Sequence, residues 1–222
     1  MSNQSRKKKK IKNGVIIGLI VLLVVAFFVS QNSNKVNPET FANVEVSEPS
    51  AHLKGNLESE IKLIEYSDFQ CPACSAVAPQ VQKLVDDFGD KFQLEYRHFP
   101  LRSIHPNAQI AAQAAEAAGI QGKFWEMHDK LFENQAEWSK SFNPKKYLKQ
   151  YAEEVGINVD RFTFDLESVK VKEIVNAQYK EAETLQLPGT PAFVFNGEKI
   201  DINSFINDNL IEKEEVSVEV VE

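Results

Sequence analysis

The spacing of apolar residues changes along this chain, and each change predicts a different kind of secondary structure. Residues 60–66 and 91–99 are short and rich in β-forming residues, so both are predicted to be strands. Between them, Pro72 suits the first position of a helix, Gly89 suits its end, and Pro79 is predicted to kink it. A strand–helix–strand unit favours a parallel pair of strands joined by a right-handed crossover.

A helical block is predicted to follow the second strand. Spaced apolar residues and strong helix formers predict helical segments over residues 105–118, 122–135, 144–155 and 160–187. The first of these segments is rich in alanine and is predicted to pack closely against its neighbours. A Pro-Gly-Thr-Pro sequence at 188–191 then ends the helical pattern.

The last part of the chain has the pattern of a hairpin followed by a helix. Asn196-Gly197 suits a type I′ turn, which predicts strands over residues 192–195 and 198–202. Ser204 is predicted to cap a final helix over residues 205–211. Residues 213–222 are predicted to be an acidic tail.

The beginning of the chain has the pattern of a membrane anchor. Residues 1–12 carry six cations and no acid, and residues 14–29 carry no charge, over a length of roughly 24 Å if helical. Residues 1–12 are therefore predicted to be a cytoplasmic basic segment and residues 13–30 a transmembrane signal anchor. A cleaved signal peptide is the alternative, but the small-x-small cleavage pattern is poor before Ser30.

The predicted anchor sets the expected location and the domain boundaries. The protein would cross the cell membrane once. Its N-terminus would lie in the cytoplasm, and its catalytic domain would lie on the outer side of the membrane. Residues 31–52 are polar, contain two prolines and show no sustained period, so they are predicted to be a linker. Residues 53–212 are predicted to form the folded domain.

Composition and charge narrow the function. The chain has 222 residues, 43% of them hydrophobic and 26% charged, which is a globular composition and excludes collagen and wholesale disorder. Beyond the first twelve residues, the other 19 of the 25 Lys and Arg face 32 Asp and Glu. Because this body is acidic, we expect no nucleic-acid partner.

One motif carries redox chemistry. Cys71 and Cys74 are the only cysteines and form a C-x-x-C pair where a predicted strand leads into a predicted helix. Unpaired N–H groups at a helix N-terminus favour negative charge, so the Cys71 thiolate should have a lowered pKa. Inert thiols, an inert disulfide and a metal site remain alternatives. No histidine lies at a tight ligand spacing, so no metal is predicted. No cofactor is predicted either, because the redox couple is made from side chains.

Four segments resemble DsbA-like thiol:disulfide oxidoreductases: SDFQCPAC, HFPL, FWEMHDKLFENQ and PGTPAFVFNG. The resemblance implies an α/β thioredoxin-like fold with an inserted helical domain at about residues 104–175, here preceded by the predicted transmembrane helix. It implies that Cys71 is the exposed redox thiol and Cys74 its partner. It also implies a cis-proline at Pro191, preceded by Thr190, beside which bound peptide is held by backbone contacts.

Glu65 stands where thioredoxin-like proteins often carry a buried acid, and the resemblance implies that it could relay the proton of Cys74. The alternative is a solvated glutamate at the edge of the sheet. Asp68 is interpreted as a surface acid, with a cap of the cysteine loop as the alternative, and His98 is interpreted as a structural residue. Three aromatic residues are interpreted as core of the helical domain: Trp125, Phe132 and Trp138.

The resemblance implies an enzyme that introduces disulfides into substrate polypeptides by thiol–disulfide exchange. A membrane quinone-linked partner of the DsbB or vitamin K epoxide reductase-like type would reoxidise it. Strongly oxidising members commonly have Pro-His between the cysteines, whereas this chain has Pro-Ala, so its redox potential is left open. The alternatives are a reductase or isomerase of the same fold, and a non-enzymatic metal binder or copper chaperone using the same two sulfurs.

Overall fold

The computed structural model describes residues 52–211, which form a five-stranded mixed sheet flanked by helices. In the order of the sheet, β1 is antiparallel to β3, β3 is parallel to β2, β2 is antiparallel to β4, and β4 is antiparallel to β5. The strands are β1 His52–Gly55, β2 Lys62–Ser67, β3 Gln93–His98, β4 Ala192–Phe195 and β5 Glu198–Ile200. The predicted parallel strand–helix–strand unit is confirmed, and β2 is the central strand.

One long helix joins the two parallel strands, and a block of helices separates β3 from β4. The helices are α1 Pro72–Phe88, α2 Ala108–Gly119, α3 Phe124–Glu133, α4 Gln135–Trp138, α5 Pro144–Glu154, α6 Val159–Leu166, α7 Val169–Thr184 and α8 Ile202–Phe205. A π-helical turn, Ile206–Leu210, follows α8 directly.

The two faces of the sheet are covered by different helices. Leu63 and Leu94 pack with Val81 and Leu84 of α1 on one face. On the other face, side chains of β2 and β4 pack with Ala182 of α7. Because side chains alternate along a strand, Glu65 and Ser67 lie on the same face as Leu63, towards α1. The alanine-rich α2 is buried at the centre of the helical block, as its composition predicted.

Three details of the predicted elements are wrong. The segment 160–187 is two helices, because Ser168 interrupts the first and its side chain accepts from the N–H of Val171 to start the second. The segment 122–135 is likewise divided, since α3 ends at Glu133 and α4 starts at Gln135. The last helix begins at Ile202 and is capped by Asp201 instead of Ser204. Strand β1, which starts at the end of the predicted linker, was not predicted.

The predicted basic segment, membrane anchor and acidic tail, and the linker up to residue 51, lie outside the described residues. Within residues 52–211, no helix is both long and apolar enough to cross a membrane.

Candidate active site

The two cysteines lie where the central strand leads into the first long helix. Cys71 is the N-cap residue of α1, with extended backbone angles of φ −72 and ψ 123, and Pro72 occupies the first turn. This arrangement is the one that the sequence predicted, because proline lacks the N–H that a first-turn position leaves unpaired anyway. Both thiols are free; Cys71 is 7% exposed and Cys74 is fully buried. Cys71 is therefore less open to solvent than the resemblance implied.

The two sulfurs have opposite acidities. A hydrogen bond from the thiol of Cys74, helped by the backbone N–H groups of Cys74 and Ala73, outweighs burial and lowers the pKa of Cys71 to about 5. The same hydrogen bond, together with burial, raises the pKa of Cys74 well above its usual range. At neutral pH the reduced pair therefore carries one negative charge, on Cys71.

The loop before β4 faces the cysteine pair. The peptide bond between Thr190 and Pro191 is cis, as the resemblance implied. In its thiol form Cys71 donates to the carbonyl oxygen of Thr190, with 3.5 Å between sulfur and oxygen. Since β4 pairs antiparallel with β2, the start of β4 lies at the same end of the sheet as the end of β2. The backbone of this loop is thus placed beside the sulfur that would meet a substrate.

Glu65 is buried in the middle of the sheet. It is 3% exposed, and its Oε1 has no hydrogen-bond partner within residues 52–211. Burial raises the pKa of Glu65 to about 7, against smaller opposing effects of Ser67 and Lys54. The alternative of a solvated glutamate at the sheet edge is wrong, because β2 is the central strand. Glu65 also lines a cavity of about 460 Å³ that Lys54 and Trp125 line with it.

Asp68 shapes the loop that carries Cys71. It is 2% exposed, so its interpretation as a surface acid is wrong. Its Oδ1 accepts from the N–H of Gln70 at 2.7 Å, and its Oδ2 accepts from the N–H of Leu101 at 2.9 Å. The same Oδ2 lies 2.7 Å from Nδ1 of His105. One carboxylate thus ties the cysteine loop to the segment after β3.

The helical block also holds the cysteine loop, through a residue that sequence reasoning missed. Gln135, the first residue of α4, donates from Nε2 to the carbonyl oxygens of Phe69 at 2.8 Å and of Cys71 at 2.9 Å. These partners are 66 and 64 residues away in sequence, and a glutamine on a short helix gives no local signal of such a contact. The inserted domain is therefore part of the site's framework.

The three aromatic residues interpreted as core of the helical domain differ in how deeply they are buried. Trp138 is fully buried and donates from its indole N–H to the carbonyl of Leu131, and Phe132 is 7% exposed. Trp125 is only partly buried and lines the cavity next to Glu65. His98 is fully buried, and with His52 and Glu116 it forms a second polar cluster, separate from the cysteines.

The chain is similar in sequence to proteins of known families. A family model described as thioredoxin matches residues 47–212. The chain is also 40% identical over 152 residues to a protein of Salinispora arenicola named Na(+)/H(+) antiporter NhaA 1, and 34% identical over 149 residues to an antiporter NhaA of Herminiimonas arsenicoxydans. Each match covers 67% of this chain, but the chain spans only 22% and 23% of the length of those relatives.

Solved structures share the fold over most of their length. A thioredoxin-like oxidoreductase from Silicibacter pomeroyi is 31% identical with a TM-score of 0.59, covering 69% of this chain and 84% of its own. The thiol-disulfide exchange protein alpha-DsbA2 from Wolbachia pipientis has a TM-score of 0.61 at 19% identity, over 73% of this chain and 87% of its own. BdbD from Bacillus subtilis has a TM-score of 0.60 at 20% identity, over 70% and 88%.

Proposed function

The chain belongs to the thioredoxin family, and we propose that it is a thiol:disulfide oxidase that introduces disulfides into substrate polypeptides. The observation that carries this proposal is the pair of opposite acidities at Cys71 and Cys74. A stable Cys71 thiolate favours the reduced form of the pair, which makes the disulfide form a better oxidant. Thioredoxin, a reductant, has a corresponding pKa of about 7, whereas the strong oxidant DsbA has about 3.5. A value of about 5 lies between them.

The exchange begins with the disulfide form of the enzyme. A substrate thiolate attacks Sγ of Cys71, the bond between Cys71 and Cys74 breaks, and the electron pair leaves on the sulfur of Cys74. Attack falls on Cys71 because Cys74 is fully buried. The product of this step is a mixed disulfide between the substrate and Cys71.

The leaving sulfur of Cys74 needs a proton, since it is fully buried and its thiolate would be removed from water. Glu65 is our proposed donor, because burial raises its pKa to about 7 and leaves much of it protonated at neutral pH. The second substrate thiolate then attacks the substrate sulfur of the mixed disulfide. Cys71 leaves as a stable thiolate, so the substrate is oxidised by two electrons and the enzyme is reduced by two.

The loop at Thr190 and Pro191 is the proposed site for the substrate backbone. Its position beside Cys71 supports this role, which the family resemblance implies. Gln135 donates to the carbonyl of Cys71 and Asp68 ties the cysteine loop to Leu101, so both are proposed as positioning residues.

The location and the reoxidant are further parts of the proposal. The basic residues 1–12 and the uncharged residues 14–29 support a membrane anchor with the catalytic domain outside. A membrane quinone-linked reoxidase would then return the dithiol to the disulfide. Sodium–proton antiport is not proposed, since this chain spans only between 22% and 32% of the length of the antiporter relatives.

The direct test is a redox titration of the full chain with thiol trapping, combined with refolding of a reduced disulfide protein. We expect a potential well above the value of about −270 mV typical of thioredoxin. Oxidation of the reduced substrate should be lost in both Cys71→Ser and Cys74→Ser, because neither variant can form the Cys71–Cys74 disulfide. With a disulfide-containing substrate, the Cys71 thiolate of Cys74→Ser should attack the substrate disulfide, release one substrate thiolate and accumulate the mixed disulfide. A potential close to that of thioredoxin would support the reductase alternative, and tight metal binding by the cysteines without exchange would support the metal binder.

A further inference from the structure

A second site is formed by three buried side chains from three different elements. His52 is the first residue of β1, His98 is the last residue of β3, and Glu116 lies in α2. Nε2 of His52 lies 2.8 Å from Oε1 of Glu116, and Nε2 of His98 lies 3.0 Å from the same oxygen. The three ligand atoms all lie within 4.8 Å of one another. Their side chains are between 1% and 5% exposed.

We propose that His52, His98 and Glu116 form a binding site for a divalent transition metal of the zinc class. Two imidazole nitrogens and one glutamate oxygen are the ligand set that several zinc enzymes use, with a fourth position left for water. Imidazole nitrogen suits zinc, copper, iron and nickel, whereas calcium and magnesium prefer sites made of oxygen. The inference concerns side chains other than the cysteines and does not depend on the proposed exchange reaction.

The distances fit a metal with little movement. Tetrahedral zinc with bonds of about 2.0–2.1 Å places its ligand atoms about 3.3 Å apart. The two observed contacts of 2.8 and 3.0 Å would each open by a few tenths of an ångström. The two Nε2 atoms lie within 4.8 Å of each other, and rotation of the side chains can bring them to the same separation.

The surroundings hold the two imidazole rings in place. The ring of His52 stacks on Phe124, with 3.3 Å between centroids and 6° between planes. A Cβ at position 119 would lie 3.3 Å from Cε1 of His52, so Gly119 leaves room for the ring. The backbone N–H of His98 donates to the side-chain oxygen of Gln178 at 2.7 Å, and Tyr96 packs edge-on against the His98 ring. Ligands fixed in this way lose little freedom when a metal binds.

The competing interpretation is a carboxylate that only accepts hydrogen bonds from two histidines. The chain contains a matched example of a simpler kind, in which Nδ1 of His128 lies 2.8 Å from Oδ1 of Asp129 and no third ligand within residues 52–211 joins them. Asp129→Asn is therefore a control that breaks a histidine–carboxylate contact without touching the proposed site.

The test uses the full chain without a histidine tag, with Cys71 and Cys74 joined as a disulfide so that thiolates cannot bind metal. Titration with Co²⁺ should give the visible absorption of a tetrahedral complex with one ion per chain, displaced by Zn²⁺. Glu116→Gln and His98→Asn should each weaken binding by more than about 100-fold. Asp129→Asn should bind as tightly as the unchanged chain.

Thermal unfolding gives a second measurement. It uses the unchanged chain, so it does not depend on whether a variant folds. At a free Zn²⁺ concentration 100 times the dissociation constant, the Tm of the unchanged oxidised chain should rise by about 5–10 °C. Absence of binding to the unchanged chain would overturn the proposal. Binding that persists at full strength in Glu116→Gln and His98→Asn would also overturn it, because the ion would then lie elsewhere. Since the cysteines are oxidised throughout, loss of exchange activity has no bearing on either outcome.

Discussion

Two buried glutamates in this molecule experience opposite effects of their surroundings. Glu65 is 3% exposed and Glu116 is 4% exposed, so both carboxyl groups are removed from water to a similar extent. Burial raises the pKa of Glu65 to about 7. At Glu116 burial acts in the same direction, but hydrogen bonds from His52 and His98 outweigh it and lower the pKa to about 2. Burial alone does not decide whether a carboxyl group is charged; the partners do.

The raised pKa of Glu65 and the lowered pKa of Glu116 suit different roles at the two positions. A carboxyl group that is half-protonated near neutral pH can donate or accept a proton, as the transfer proposed for Cys74 requires. A carboxylate that is held ionised by two imidazoles is a fixed negative charge. Such a group can stabilise the packing of β1, β3 and α2 or bind a cation, but it does not exchange protons near neutral pH.

Removal of the partnered carboxylate should have the largest effect on stability. Glu116→Ala leaves two buried imidazoles without their acceptor and opens a cavity, so we expect a loss of about 3–5 kcal/mol in the free energy of unfolding. Urea denaturation at pH 7 measures it. Glu154→Ala, which removes an exposed ion pair with Lys130, should cost less than about 1 kcal/mol. Equal losses of unfolding free energy in the two variants would show that the buried cluster stabilises the fold no more than an exposed ion pair does.

Removal of the charge from Glu65 should instead increase the free energy of unfolding. The folded-state pKa of Glu65, about 7, lies above the usual value of 4.5, so the folded protein binds the proton more tightly than the unfolded chain does. Stability should therefore fall as pH rises from about 4.5 to 7 and then stay constant. Glu65→Gln should abolish this fall and stabilise the protein at pH 8 by up to about 3 kcal/mol.

The Glu65→Gln measurement is urea denaturation at pH 5 and pH 8, with Asp87→Asn as a control. Asp87 pairs with Lys83 on the exposed surface of α1, and its substitution should leave the pH dependence unchanged. The same Glu65→Gln variant should oxidise substrate more slowly, because the proposed proton donor is gone. A variant that is less stable than the unchanged chain at pH 8 would contradict the assignment of a strained, buried carboxylate.

The sequence contains different amounts of information about these regions. Cys71 and Pro72 form a helix start within two residues, so the position of the thiol follows from local rules. The largest cause of its lowered pKa, the hydrogen bond from Cys74, comes from a residue three positions further on. The division of the segment 160–187 also has a local signal, since serine is a preferred N-cap and Ser168 is one here. The helical period continues on both sides of Ser168, so periodicity alone does not divide the segment.

Contacts between distant segments could not be predicted in this way. His52 meets Glu116 across 64 residues, and the meeting depends on β1, which is only four residues long, pairing with β3. Gln135 reaches Cys71 across the same separation, through the packing of the helical block. Histidines examined by their spacing along the chain gave no indication of a metal site, since the fold and not the spacing brings them together.

The smallest expected effect comes from Lys54, a cation that lowers the pKa of Glu65. Lys54 lowers the pKa of Glu65 slightly, and its ammonium lies 4.2 Å from the ring centroid of Trp125. Lys54→Met should therefore raise the pKa of Glu65 further, by much less than burial does, as measured by carboxyl-carbon NMR titration. Lys83→Met is the control, because its ammonium pairs with an exposed aspartate on α1. A downward shift in Lys54→Met would mean that the cavity beside Glu65 had filled with water and that burial no longer governs this carboxyl group.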